Sequence, residues 1–495
     1  MKLLYIDLFC GAGGTSTGVE NARYEGRQCA KVIGCVNHDA NAIASHAANH
    51  PDALHFTEDI RTLELSPLTA HIAEMRRQYS DAFVVLWASL ECTNFSKAKG
   101  GQPRDADSRT LAEHLFRYIE AINPDYIQIE NVEEFMSWGD LDENGKPISK
   151  DAGRLYQQWV SNVCGYGYRF AHRILNSADY GAYTTRRRFF GIFAKGSLPI
   201  VFPEPTHSKD GATALFGQMQ RWKPVREVLD FSDEGRSIFG RKKPLVDATL
   251  ERIYAGLIKF VAGGKEAFLV KWNSMSSTGK YHAPSIDEPC PTVATQNRLG
   301  IAQVNFLSKH YGGSPAGKCV SVEEPAGTIT TWDHHSFITA YYGNGHNHSI
   351  DAPAPTLTTR DRLAFVDMQY GNGAPCDIES PAPTVTTNPK LQLVTCRMEQ
   401  QESTTTITSD DSPAMAKIKR FMALYGIVDI KMRMLRIPEL KRIMGFPPDY
   451  VLVGTQADQK KFIGNAVEVN MARVLCEALC ARLIEGDWRP IQIAA

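Results

Sequence analysis

Leu3-Leu4-Tyr5-Ile6-Asp7-Leu8-Phe9-Cys10-Gly11-Ala12-Gly13-Gly14 decides the architecture. It opens as an apolar run of strand length, and the glycines beyond Asp7 form a tight turn that opens a helix. Similar apolar runs follow at 32–36, 84–86, 127–129 and 189–193, with helical patterns over 40–49 and 110–122 between them. Strands that alternate with helices in this way predict an α/β fold, an open and mostly parallel sheet with helices on both faces.

Pro199, Pro203 and Pro205 break the alternation and read as a linker. From about 206 to 430 the texture changes to Gly, Pro, Thr and Ser with short β-type runs. Pro289-Cys-Pro-Thr292-Val-Ala-Thr295 recurs there from Pro325, from Pro353 and from Pro381, each copy preceded by an acid (Asp287, Glu323, Asp351, Glu379). A repeat of this length stacks supersecondary units, and whether the copies also touch a ligand stays open. Helical pattern resumes over 438–445 and 465–484. The expected organisation is a first domain over 1–203, a β-rich, internally repeated insert over 204–430, and a return segment over 431–495 that completes the first domain.

A chain of 495 residues with 43% hydrophobic and 22% charged residues can bury more than one core, as an ordinary globular protein does. Its 11 cysteines include no CxxC pair, so neither a disulfide framework nor a zinc ribbon, and no metal site, is expected. They fit a reducing cytoplasm. The start lacks a signal-peptide pattern and no stretch is long and apolar enough for a membrane, so no membrane partner is expected. A net charge of −1 is neutral about nucleic acid, because only a local basic surface is needed. Candidate surfaces are Arg186-Arg187-Arg188, Arg241-Lys242-Lys243 and the stretch from Lys431 to Arg442, each of which reads equally well as a solvated face.

Chemistry-bearing residues fall at strand exits. Cys92 follows Phe83-Val84-Val85-Leu86 in the stretch Trp87-Ala88-Ser89-Leu90-Glu91-Cys92-Thr93-Asn94-Phe95-Ser96, and Glu130 follows Tyr126-Ile127-Gln128-Ile129. A thiol and a carboxyl at the exits of two strands of one open sheet face a common crevice. The glycine turn suits an adenosyl cofactor, with a nicotinamide nucleotide as the rival. The rival's G-x-G-x-x-G pattern fails, since Gly11 and Gly13 are followed by Ser16. Asn37-His38-Asp39 ends the second strand, where ribose and adenine contacts would fall, and Asp59 ends the next. Taken singly, these residues read equally well as loop caps.

In order along the chain, these stretches resemble the motifs of the cytosine-5 DNA methyltransferase family of bacterial and phage type. The loop from Phe9 to Gly14 resembles the first motif and Cys92-Thr93-Asn94-Phe95-Ser96 the catalytic cysteine loop. Glu130-Asn131-Val132 and Asp179 to Arg188 match the Glu-Asn-Val and paired-arginine motifs. Arg433 to Pro447, with Glu439, Arg442 and Gly445-Phe446-Pro447, resembles the segment that packs against the specificity domain, and Gly464-Asn465-Ala466-Val467 the last motif. The resemblance covers 1 to about 200 and 431–485.

It implies a Rossmann-like S-adenosylmethionine-dependent methyltransferase fold with a target-recognition insert. It also implies methylation of a flipped-out cytosine in a specific duplex DNA sequence. Cys92 would attack carbon 6, Glu130 would hold or protonate N3, and Arg186 and Arg188 would hold the base carbonyl, a phosphate or the cysteine loop. Cofactor contacts would come from Asp7, Phe9, Gly11, Gly13, Gly14, Asn37, His38, Asp59, Asn465 and Ala466. The expected setting is a monomer in the cytoplasm of a bacterial or phage-infected cell, with a cognate restriction endonuclease as a candidate partner.

Three positions depart from the pattern. The usual Pro-Pro-Cys-Gln is Leu90-Glu91-Cys92-Thr93, the glutamine of the paired-arginine motif is Thr184, and the acidic ribose ligand is Asn37. An ionised Glu91 near the thiol would raise its pKa. The alternatives are therefore an inactive DNA-binding relative and an RNA cytosine methyltransferase, against which the large insert weighs. A nicotinamide-dependent oxidoreductase would leave the cysteine and arginine motifs unexplained.

Overall fold

The computed structural model describes residues 1–90, 112–140, 152–211, 407–425 and 429–490. It also describes 213–214, 217–230, 232–233, 235–258, Ile427 and short strands between 267 and 397. Glu91, Cys92 and Thr93 lie outside the described residues, as does all but Cys290-Pro291 of the Pro-Thr repeats. The chain folds into two compact units. One holds Met1–Ala182, Arg186–Arg221 and Met444–Ala495, the other Tyr183–Thr185 and Trp222–Ile443. Residues 431–443, which the sequence reading places in the return segment, group with the second unit.

The first unit is an α/β sheet. Its strands are β1 (Leu3–Leu8), β2 (Ala30–Val36), β3 (Leu54–Phe56), β4 (Phe83–Ser89), β5 (Tyr126–Asn131), β6 (Tyr168–Asn176) and β7 (Arg187–Lys195). They lie in the order β3-β2-β1-β4-β5-β7-β6. The strands from β3 to β5 are parallel, and β7 runs antiparallel to β5 and to β6. The order reverses between β1 and β4, which is where an open sheet leaves a crevice at its carboxyl edge.

Around the sheet lie α1 (Gly14–Asn21), α2 (Ala40–Asn49), α3 (Ser66–Gln78), α4 (Leu115–Ile122), α5 (Arg154–Cys164), α6 (Gln456–Asn465) and α7 (Val469–Glu485). Alternation along β1 sends Leu4, Ile6 and Leu8 into one core with Leu68 and Ile72 of α3, Leu115 and Ile119 of α4 and Trp159 of α5. Leu3 and Tyr5 enter the opposite core with Val19 of α1 and Met471, Leu475, Leu479 and Leu483 of α7. The return of the chain into this unit thus shares with α1 the covering of one face of the sheet.

One helical expectation changes. The pattern read from Asn465 to Ile484 starts later, since α7 begins after Glu468, whose carboxylate accepts hydrogen bonds from Asn470 N and Met471 N, and α6, which ends at Asn465, lies ahead of it. A buried N-cap therefore sets the start of α7 four residues into the expected span.

In the second unit a six-stranded sheet runs in the order Arg236–Ser237, Asp429–Met434, Leu391–Arg397, Ala364–Met368, Leu299–Gln303, Ala267–Lys271. The helices Asp247–Gly256 and Pro413–Tyr425 lie in the same unit, contributing buried Leu250 and Ile253, and Ile418, Phe421 and Met422. Arg433 and Glu439 form a buried two-pronged ion pair, with Nη1 2.9 Å from Oε2 and Nη2 2.9 Å from Oε1. Glu439 also accepts from Asp230 N and Arg436 N, so its carboxylate ties three segments together.

Candidate active site

The turn after β1 leaves the sheet through two unusual backbone positions. Phe9 has φ 61°, a left-handed conformation that is uncommon for a bulky residue, and Gly11 has φ 51°. A side chain added at Gly11 would meet nothing within 4 Å among the described residues, so the backbone here is open on that side. Gly13 and Gly14 are glycines for another reason. Gly13, at φ 99°, would clash with the Tyr450 hydroxyl, and a Cβ on Gly14 would lie 2.5 Å from Val467 O and 2.9 Å from the Ala466 Cβ. Of the three glycines, Gly11 is the one open to a ligand, whereas Gly13 and Gly14 let the segment 450–467 pack against the turn.

The other expected cofactor contacts gather at the same sheet edge, where β1, β2 and β3 end in register: Leu8 pairs with Val36, and Val36 with Phe56. Asn37 is half-buried, and its Oδ1 accepts Asp39 N, while Asp39 caps α2. His38 is exposed. Asp59 accepts Arg61 N and pairs with the Arg61 guanidinium at 2.6 Å, and that pairing holds its carboxyl down to about 2. Asn465 is exposed at the end of α6, and Ala466 is half-buried against Gly14. Asp7 faces inward: it is 1% exposed, Oδ2 accepts a hydrogen bond from Ser16 Oγ at 2.8 Å, and Oδ1 has no partner among the described residues. Burial pushes its carboxyl up to about 8. An open backbone turn beside exposed polar groups, at the carboxyl edge of parallel strands, fits an adenosyl ligand.

Two strands along from β1, Glu130 stands next to last in β5 at 5% exposure, in register with Ser89 of β4, three residues before Cys92. Its Oε1 lies 3.3 Å from Arg188 Nε and 3.9 Å from Arg186 Nη2, and receives no hydrogen bond among the described residues. A buried carboxylate oxygen with charge partners and no donor suits a ligand that brings a donor of its own. Arg186 is 3% exposed and donates from Nη1 to Gly464 O at 3.2 Å, linking the arginine motif to the last motif. Arg187 points outward to Glu133 at 2.8 Å. The structure thus brings Glu130, Arg186 and Arg188 together.

Several residues here escaped sequence reasoning. Asn131 donates from Nδ2 to Leu90 O at 3.4 Å, holding the last described residue before the cysteine loop. Glu468 is 1% exposed, and burial raises its carboxyl to about 7 against the pull of its two backbone donors. Behind the glycine turn lies a buried polar network. His46 Nε2 meets Ser16 Oγ at 2.9 Å, His46 Nδ1 meets Cys35 Sγ at 3.6 Å and His55 Nε2 at 3.0 Å, and His50 bridges Thr17 and Glu20. Its members come from four elements at irregular spacing, so no sequence window contains the pattern.

The chain matches the family model "C-5 cytosine-specific DNA methylase" over residues 3–221 and 324–481. It is 29% identical over 203 residues to the Type II methyltransferase M.AgeI of Thalassovita gelatinovora, covering 41% of this chain and 42% of that one. It is 27% identical over 211 residues to the Type II methyltransferase M1.HphI of Haemophilus parahaemolyticus, covering 42% of this chain and 50% of the relative. The chain therefore spans about half the length of these curated relatives. A solved structure of Spodoptera frugiperda DNMT2 aligns over 97% of this chain and 99% of that chain, with 11% identity and a TM-score of 0.47.

Proposed function

Because the chain belongs to the C-5 cytosine-specific DNA methylase family, we propose that it methylates carbon 5 of a cytosine flipped out of a specific duplex DNA sequence. The observation that carries this reading is Glu130, buried beside Arg188 and Arg186 with an oxygen left for a donor. S-adenosylmethionine, when bound, supplies the methyl group that carbon 5 accepts. Gly11, Phe9, Asn37, His38, Asp59, Asn465 and Ala466 would hold it along the carboxyl edge of β1 to β3, with Asp7, Gly13 and Gly14 shaping the turn from behind.

Carbon 5 of cytosine is a poor nucleophile until an electron-rich group adds at carbon 6. Cys92 makes that addition as a thiolate, and the C6–S bond breaks again when carbon 5 loses its proton. Glu130 holds a proton at N3 and so neutralises the charge that builds on the ring during addition. Arg188 and Arg186 keep the carboxylate aimed, and Arg188, the less buried of the two, presents guanidinium donors to the base carbonyl or a phosphate. The second unit supplies target recognition, through side chains on base edges and basic residues on phosphates. The named relatives are Type II methyltransferases, which supports a cytoplasmic restriction-modification setting with a cognate endonuclease.

The test is transfer of labelled methyl from S-adenosylmethionine to mixed-sequence duplex DNA, with Cys92→Ser alongside the parent. Label on cytosine carbon 5 that disappears with Cys92→Ser supports the reading. Cofactor and DNA binding without any label would overturn it in favour of a binding protein, and label on transfer RNA alone would move the substrate to RNA.

A further inference from the structure

We propose that Cys10, Cys35, His46 and His55 form a binding site for a zinc-class cation, seated behind the glycine turn. The donor atoms of Cys10, Cys35 and His46 all lie within 4.8 Å of one another, and all three residues are buried. His55 Nε2, 3.0 Å from His46 Nδ1, stands at the rim outside this group of three, within reach as a fourth ligand.

The fold assembles this group from the sheet register. Asp7 of β1 pairs with Cys35 of β2, and Cys35 pairs with His55 of β3, so the three stand in one row on one face of adjacent parallel strands. Cys10 reaches the row from the turn after β1, and His46 descends onto it from α2. Metal–sulfur and metal–nitrogen bonds of tetrahedral zinc imply S···N edges of about 3.6 Å and N···N edges of about 3.3 Å. The structure has 3.6 Å from Cys35 Sγ to His46 Nδ1 and 3.0 Å between the two imidazole nitrogens.

Proton placement favours a cation over a network of hydrogen bonds alone. With Asp7 ionised, Ser16 Oγ donates to its Oδ2 and turns a lone pair to His46 Nε2, which then carries the ring proton. That leaves Nδ1 as a bare lone pair, with both Cys35 Sγ and His55 Nε2 converging on it. One lone pair accepts one proton well, whereas a cation at this point uses all the donors at once. The relay His46–Ser16–Asp7 then orients the ligand histidine from behind, as outer carboxylates do for zinc-bound imidazole. Two sulfurs with two imidazoles select zinc over magnesium or calcium, which prefer oxygen. The ion would cross-link the glycine turn, β2, β3 and α2.

The experiment uses the full chain, purified reduced, with zinc content measured after dialysis against a weak chelator and the metal's neighbours read by X-ray absorption. The expected result is about one zinc per chain bound by sulfur and nitrogen, and a thiolate-to-metal charge-transfer band when cobalt(II) replaces it. Cys35→Ser and His46→Gln should lower the zinc content to near zero, while Cys164→Ser, outside the cluster, retains it. The absorption spectrum of the parent needs no variant, so misfolding of Cys35→Ser would not shield the proposal. A reduced parent without zinc, oxygen-only coordination, or zinc held against the chelator by folded Cys35→Ser would each overturn it.

Discussion

Glu130 and its two arginines concentrate three charges within a few ångströms at the end of one strand, almost wholly out of water. Such a group is costly to assemble and earns no obvious stability, so it is better explained by chemistry than by folding. Replacing Glu130 by glutamine keeps its size and removes its charge. Glu130→Gln is expected to lower methyl-transfer turnover by roughly 10²- to 10⁴-fold, the range for a group that moves or holds a proton in the transition state. Duplex affinity in a gel shift should stay near that of the parent. A variant that keeps its turnover would remove Glu130 from the reaction.

At the scale of elements, the glycine turn and the two C-terminal helices form one packed assembly. Gly14→Ala places a methyl group against Val467 O, a backbone atom with little room to move, and should destabilise the chain by about 1–3 kcal/mol. Thermal melting reads this directly, and an unchanged midpoint would mean that α6 and α7 adjust freely. Glu468 caps α7 from a buried position with its carboxyl raised to about 7. A raised acid favours the folded state below its unfolded pKa and loses that contribution as pH rises through the folded value. The parent should therefore lose stability relative to Glu468→Gln between pH ~5 and ~8, and parallel pH–stability curves would refute this. Element types were legible where apolar runs are long: the five expected strands all belong to the sheet. β6 escaped because this edge strand, with Arg169, His172 and Arg173 exposed, lacks an apolar run. That Glu130, Arg186 and Arg188 meet was legible because each sits in a local motif. Asn131, Glu468 and the Cys10–Cys35–His46 group were not, since their roles arise from partners far apart in sequence.

For the whole molecule, the division into two units gives a test of local stability. Glu439→Ala leaves Arg433 buried without its carboxylate and takes the acceptor from two backbone N–H groups, a change worth about 3–5 kcal/mol. Limited proteolysis should then cut first within 222–443, while the 1–182 portion survives longer; simultaneous loss of both would show that the units unfold as one.

The face of the sheet carrying Leu3 and Tyr5 is covered by α7, whose residues Met471 to Leu483 come some 470 positions later in the chain. During synthesis the part of that face beneath α7 stays bare until the ribosome has passed the entire insert. Counted from Lys195, where the last strand ends, to Leu483, some 290 positions on, the delay at ~5–20 residues per second is roughly 15–60 s. Over that interval the nascent protein exposes a sticky, half-finished sheet, so its yield in a cell should depend on chaperone supply far more than the stability of the finished fold would suggest.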